Sequence, residues 1–143
     1  MKITIAKDAG YCFGVRDAVN IAYDSAEKHG DVYMLGSIVH NEKVVNDLKN
    51  AGTKIVRSLD DVPKESPILF RAHGTVPKLW DEAKEKKMNI IDATCPLVYE
   101  IHQEVKKLAK DGRKIIVIGD HGHDEVVAIA NQVENSMVIS SIK

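Results

Sequence analysis

Asp92–Val98, with the sequence Asp-Ala-Thr-Cys-Pro-Leu-Val, joins two segments of different periodicity. The residues before it, Met88–Ile91, form a short, largely apolar run that predicts a β-strand. The residues after it, Leu97–Lys110, carry apolar side chains at every third or fourth position. This spacing predicts a helix with one apolar face, made of Leu97, Ile101, Val105 and Leu108. The stretch is therefore predicted to be a strand-to-helix turn, the repeating connection of an α/β fold.

Cys95 lies where this helix is predicted to begin. Proline is favoured at the first helical position, so Pro96 makes Cys95 the predicted N-cap. Free backbone N–H groups and the helix dipole favour negative charge there, and a thiolate so placed can bind a metal. A small side chain filling a tight turn is the commoner role of a single cysteine, and Cys95 alone leaves both interpretations open.

Strands and helices alternate along the rest of the chain. Asn41 is predicted to cap one helix, and Ala51-Gly52 to end it. Two domains are predicted, residues 1–95 and residues 96–143. The order of elements predicts an α/β protein with a mostly parallel sheet. Besides the strand before Asp92, strands are predicted at Met1–Ala6, Val32–Leu35, Thr53–Val56, Ile68–Arg71, Lys114–Gly119 (the strongest signal) and Met137–Ile139.

The composition is that of an ordinary globular protein. Of 143 residues, 44% are hydrophobic and 29% charged, and the net charge of −1 indicates no general attraction to nucleic acid or acidic lipid. No apolar run is long enough to predict a membrane span. The two cysteines are far apart in sequence and predict no disulfide framework, so a cytoplasmic location with reduced thiols is expected.

Reactive side chains follow the predicted strands. In an open parallel sheet, ligands bind at the carboxyl ends of the strands. Six cysteine and histidine residues are predicted at that edge, with the carboxylic acid Glu125 beside them, which favours an active or binding site over coincidence. The two helical histidines, His29 and His102, are expected to be surface or packing residues. The six residues at the edge are Cys12, His40, His73, Cys95, His121 and His123.

Five motifs together resemble the 4-hydroxy-3-methylbut-2-enyl diphosphate reductase family of the non-mevalonate isoprenoid pathway. They occur in the family's order, and the Asp-Ala-Thr-Cys-Pro run is the most specific of them. The motifs are Ala9–Val15, Val39–Asn41, Ala72–Gly74, Asp92–Val98 and Gly122–Val126.

The resemblance implies a reductive removal of the substrate's hydroxyl group, giving isopentenyl and dimethylallyl diphosphate. Cys12 and Cys95 would be two of three cysteines holding a 4Fe–4S cluster, and electrons would come from a ferredoxin or flavodoxin. Glu125 would supply protons. The substrate's diphosphate would be bound by His40, His73 and His123.

The resemblance also implies a longer protein. The family fold has three similar α/β domains around the cluster, and this chain provides the first and part of the second. The third cysteine of the family lies outside this sequence, so the chain alone is expected to be inactive. His121 has no role in the family pattern, and Asp124 stands where the family usually has proline.

Two other interpretations remain open from the residues. The chain could be a non-redox α/β fragment that binds an anion, or zinc through Cys12, Cys95 and histidines. It could also be a folded fragment without a ligand. Iron and sulfide analysis distinguishes the reductase from the zinc protein.

Overall fold

The computed structural model describes residues 1–7 and 9–141. Strands and helices alternate along the chain, with one short 3₁₀ turn at Leu59–Asp61. The helices are α1 (Phe13–His29), α2 (Glu42–Asn50), α3 (Pro77–Glu85), α4 (Pro96–Lys110) and α5 (Asp124–Ala130). The strands are β1 (Val32–Leu35), β2 (Thr53–Val56), β3 (Pro67–Phe70), β4 (Asn89–Asp92), β5 (Ile116–Ile118) and β6 (Met137–Ile139).

The strands form two parallel sheets. The first has the order β2-β1-β3-β4, and β5 pairs with β6 in the second. The predicted α/β class with parallel strands is confirmed. The two sheets lie on either side of α4 in the sequence, while the domain boundary at residue 95 stays a prediction.

Strand β3 of the first sheet is buried on both faces. Leu69 of β3 packs into an apolar cluster with α1 and α2, whereas Ile68 and Phe70 pack into a second cluster with Ala83 of α3. Successive side chains of a strand point to opposite faces, so helices on both sides bury the whole strand. Its carboxyl end is thereby held rigidly at the edge where ligands bind.

Several local predictions are confirmed. Asn41 caps α2 through its side-chain oxygen, which accepts a hydrogen bond from the Val44 N–H at 3.1 Å. Gly52 follows the end of α2 with a φ of 110°, a conformation that favours glycine. Pro96 is the first residue of α4 and Cys95 is its N-cap.

The prediction about the packed face of α4 was right for Val105 and wrong for the other three residues. Leu97, Ile101 and Leu108 are 50%, 42% and 36% exposed. The buried face consists of Val98, His102 and Val105. Apolar spacing specifies the period of the helix, but the face that packs is chosen by neighbouring elements, and here a histidine belongs to it. His102 is thus a packing residue as expected, and His29 is exposed.

The strand predicted at Met1–Ala6 is absent. The described residues of this segment form no sheet pairing, and Ile3 and Ile5 are 73% and 80% exposed. Alternating side chains favour an extended backbone, but a strand also needs a neighbour for its N–H and C=O groups. The strand predicted at Lys114–Gly119 is shorter, Ile116–Ile118. Among the described residues, no helix combines the length and apolar character needed to cross a membrane.

Candidate active site

Backbone hydrogen bonds join the loops at the carboxyl edge of the first sheet. The N–H of Ala72, after β3, donates to the carbonyl of Ile38, after β1, at 3.4 Å. The N–H of Cys95, after β4, donates to the carbonyl of Ala72 at 3.0 Å. Each bond lies within two residues of a predicted site residue, so the loops carrying His40, His73 and Cys95 are held together.

The turn before α4 is closed by Asp92. Its Oδ1 accepts hydrogen bonds from the Thr94 N–H at 2.9 Å and from the Thr94 hydroxyl at 2.6 Å. This Asx-type turn reverses the chain between strand and helix. It leaves Cys95 at the helix N-terminus, where its thiol makes no capping hydrogen bond within the described part of the chain.

Cys95 lies against the first turn of α1. A Cβ atom added to Gly14 would lie 2.2 Å from the Cys95 Sγ, so the small glycine makes room for the thiol. Cys12, the N-cap of α1, precedes Gly14 by two residues, and both cysteines are free. The start of α1 is also linked to the next loop, because the Asn41 amide donates to the Tyr11 hydroxyl at 3.1 Å. The N-termini of α1 and α4, each with a cysteine at its N-cap, therefore meet.

Three of the predicted site histidines lie together. The ring centroids of His40 and His73 are 4.4 Å apart, and that of His123 lies 5.4 Å from His40 and 5.9 Å from His73. His40 and His123 are exposed, and His73 is partly buried. The cluster joins loops of both sheets. His40 and His73 follow strands of the first sheet, and His123 follows β5 of the second.

The hydrogen bond of His123 defines its tautomer. Its Nδ1 accepts from the Glu125 N–H at 3.3 Å, so the ring proton of neutral His123 is on Nε2, which is left as a donor. The Glu125 side chain is partly buried and forms no hydrogen bond or ion pair with another described residue. The residue two positions after His123 therefore carries a carboxyl group that has no partner among the described residues. His121 is exposed and lies outside the cluster of rings.

His73 is neutral in this environment. Burial, together with the nearby charges of His40 and Arg71, lowers the pKa of His73 to about 4. Its Nδ1 is buried and has no hydrogen-bond partner among the described residues. A neutral ring still donates through one N–H, and a nearby anion would favour its protonation.

The loop after His73 is shaped by the buried His102. Gly74 has a φ of 84°, and a Cβ added there would approach the His102 Cε1 to 2.7 Å. Burial lowers the pKa of His102, so this histidine packs as a neutral ring. It packs against Gly74 of this loop, and its Nε2 has no hydrogen-bond partner among the described residues.

We expect His73 to make the fold less stable in acid. Since its folded-state pKa of about 4 lies below the ordinary histidine pKa of 6.5, the unfolded chain binds more protons between these pH values. The contribution of neutral His73 to the free energy of unfolding is fully present above pH 6.5. It is lost as the pH drops toward 4, by roughly 1–3 kcal/mol for a half-buried ring. Urea unfolding of the wild type and His73→Asn at pH 7.5 and 4.5 measures this. The expectation is contradicted if the wild type loses no more unfolding free energy between pH 7.5 and 4.5 than His73→Asn does. The control is His29→Asn, at an exposed histidine.

Sequence reasoning missed an ion pair beside the histidines. The Nη1 of Arg71 donates to the Asp124 Oδ2 at 2.6 Å, with both side chains partly buried. Donor atoms of Asp124, His40 and His73 all lie within 4.8 Å of one another, a spacing that a divalent metal could use. An arginine directly after an apolar strand was the available signal, but its partner is 53 residues away.

Comparisons with known proteins identify the family of this chain. Residues 3–143 match the model of the family described as LytB protein. A reductase of Clostridioides difficile named 4-hydroxy-3-methylbut-2-enyl diphosphate reductase is 42% identical over 140 residues, 97% of this chain and 50% of the relative. The protein of the same name from Aeromonas salmonicida is 40% identical, over 94% of this chain and 44% of its own length. The chain therefore spans about half the length of these curated relatives.

Solved structures give the same result. One, titled as the E-1-hydroxy-2-methyl-but-2-enyl-4-diphosphate reductase from Plasmodium falciparum, superposes with a TM-score of 0.89 at 32% identity, over 95% of this chain and 43% of that one. Another, titled as (E)-4-hydroxy-3-methyl-but-2-enyl diphosphate reductase, the terminal enzyme of the non-mevalonate pathway, gives a TM-score of 0.84 at 32% identity, over 98% and 51%. From its sequence, fold and family match, this chain belongs to the LytB protein family.

Proposed function

We propose that this chain provides the N-terminal part of an iron–sulfur reductase that converts 4-hydroxy-3-methylbut-2-enyl diphosphate into isopentenyl and dimethylallyl diphosphate. The observation that carries the proposal is the clustering of three imidazole rings at the sheet edge where the two helices capped by Cys12 and Cys95 also begin. The names of the relatives support the choice of substrate.

The three histidines are proposed to bind the diphosphate. His123 offers its Nε2–H, and His40 and His73 add one donor each while neutral. The buried Nδ1 of His73 without a partner also supports a polar ligand, because such an atom costs about 1–3 kcal/mol when left unpaired. A diphosphate held here would orient the rest of the substrate toward Glu125.

Cys12 and Cys95 are proposed to hold part of a 4Fe–4S cluster. The residues fit that group in part: both thiols are free, and Gly14 leaves the Cys95 Sγ space beside the start of α1. Iron–sulfur clusters are held mainly by cysteine thiolates, and this chain contains two cysteines. When bound, the cluster supplies electrons received singly from a ferredoxin or flavodoxin. The free thiols are compatible with the cytoplasmic location expected from the sequence.

Glu125 is proposed as the proton donor. Replacing the C–OH bond by a C–H bond takes two electrons and two protons: one proton leaves with the hydroxyl group as water, and the other is added to carbon. A partly buried carboxyl group without a competing partner can deliver a proton, and general acid catalysis contributes typically ~10²–10⁴-fold in rate.

Metal analysis of the purified chain tests the proposal. After anaerobic purification we expect iron and acid-labile sulfide, both lost largely on exposure to air, because two thiolates leave irons open to oxygen and chelators. Cys12→Ser and Cys95→Ser should each lower the iron content, whereas Ser25→Ala, in α1 but remote from its N-cap, should not. A chain without iron or sulfide under all conditions would refute the cluster assignment.

A second candidate is a non-redox protein that binds a divalent metal. The spacing of donor atoms in His40, His73 and Asp124 supports it. Zinc at about one per chain, without sulfide, would favour this function over the reductase. Cobalt(II) substitution identifies the ligands, since thiolates add a strong sulfur-to-cobalt charge-transfer band that imidazole and carboxylate lack.

A further inference from the structure

Arg71 extends across the carboxyl edge of the first sheet. It follows β3, and its Nη1 passes Gly36, where an added Cβ would lie 2.5 Å away. Gly36 has a φ of 78°, so both its backbone and the guanidinium restrict this position to glycine. The contact holds the guanidinium beside the loop that carries His40.

Asp124 lies where an anionic ligand of the histidines would lie. One carboxylate oxygen accepts from Arg71 at 2.6 Å, and a carboxylate oxygen is within 4.8 Å of ring nitrogens of both His40 and His73. The side chains of Arg71 and Asp124 are 24% and 32% exposed, so water screens the ion pair only partly. The fork of an arginine fits carboxylates and phosphates equally well.

We propose that Asp124 acts as an internal competitor of the diphosphate, and that the bound diphosphate takes Arg71 over from it. The inference rests on the proposed function, since it names a further residue pair of the same site. Without a ligand, Asp124 neutralises Arg71. With one, the guanidinium turns to a phosphate oxygen, and Asp124 opposes binding through its negative charge.

Two substitutions have opposite expected effects. Asp124→Asn keeps the size of the side chain but removes its charge, so Arg71 is uncompensated and inorganic pyrophosphate should bind about 3- to 10-fold more tightly at low salt. Arg71→Met leaves Asp124 uncompensated and should weaken binding by at least as much. Both differences should shrink near 1 M salt, where charges are strongly screened.

Calorimetric titration of the whole chain with pyrophosphate, in the presence of a chelator, measures these affinities. Asp31→Asn is the matched control, because it removes the same charge from an ion pair with Lys54 at the opposite, amino end of the sheet. Its affinity should equal that of the wild type. In the double variant Arg71→Met with Asp124→Asn, the two effects should largely cancel.

Other outcomes overturn the inference. If Asp124 only clamps α5 to the first sheet, Asp124→Asn lowers the melting temperature while affinity stays equal or falls. If it is a metal ligand, Asp124→Asn loses cobalt(II) binding without a gain for pyrophosphate. If the wild type and Asp124→Asn bind pyrophosphate with equal affinity, the inference is wrong but the proposed function is unaffected. If neither the wild type nor Asp124→Asn binds pyrophosphate, both the inference and the diphosphate-binding role of the histidines are wrong. The cluster assignment is tested separately, by iron and sulfide content.

Discussion

Glu125→Gln is expected to lower the reductase rate by ~10²–10⁴-fold, the usual contribution of a general acid. Glutamine has the same shape and can still accept hydrogen bonds, but it has no proton of suitable acidity to give to a leaving hydroxyl. Binding of the diphosphate should change little, because the Glu125 side chain has no described partner among the histidines.

The rate is measured in a protein that joins this chain to the second half of the Clostridioides difficile relative, with a strong one-electron donor. This chain spans 50% of the length of that relative, and orientation and charge stabilisation depend on a complete site. Glu100→Gln, on the exposed surface of α4, is the control. Glu125 also lies in the first turn of α5, where a carboxylate stabilises the helix by a few tenths to about 1 kcal/mol. A lower melting temperature with a rate within a few-fold of the parent would assign it to that role.

Gly14→Ala is expected to remove most of the bound iron and sulfide. The new methyl group would lie 2.2 Å from the Cys95 Sγ and 3.2 Å from its Cβ, so the thiol must rotate away from the start of α1. Overpacking of this kind costs about 1–3 kcal/mol, and the better helix propensity of alanine offsets up to about 1 kcal/mol of that. The chain should therefore still fold.

Iron and sulfide content after anaerobic reconstitution, with circular dichroism of the same sample, checks this expectation. Gly122→Ala is the matched control, because an added Cβ there meets no atom within 4 Å. Normal iron content in folded Gly14→Ala would mean that the observed position of the Cys95 thiol is irrelevant to cluster binding.

Much of the site could be predicted because parallel strands end at one edge. Short-range signals specified two helix starts: Pro96 begins α4, and Asn41 caps α2. Each histidine of the cluster follows a predicted strand, and the carboxyl ends of parallel strands lie at one edge of the sheet. Their proximity could therefore be predicted without knowledge of the packing. Their roles in binding stay predictions.

The sequence by itself determined the period of each main element, the turns between them and the edge at which the reactive residues collect, because these depend on neighbours within a few positions. Only the tertiary structure decided which face of α4 is buried, that Met1–Ala6 has no strand partner among the described residues, and that Arg71 pairs with Asp124. Those outcomes depend on which surfaces meet after the chain has folded. A contact between residues 53 positions apart leaves no periodic signal in the sequence.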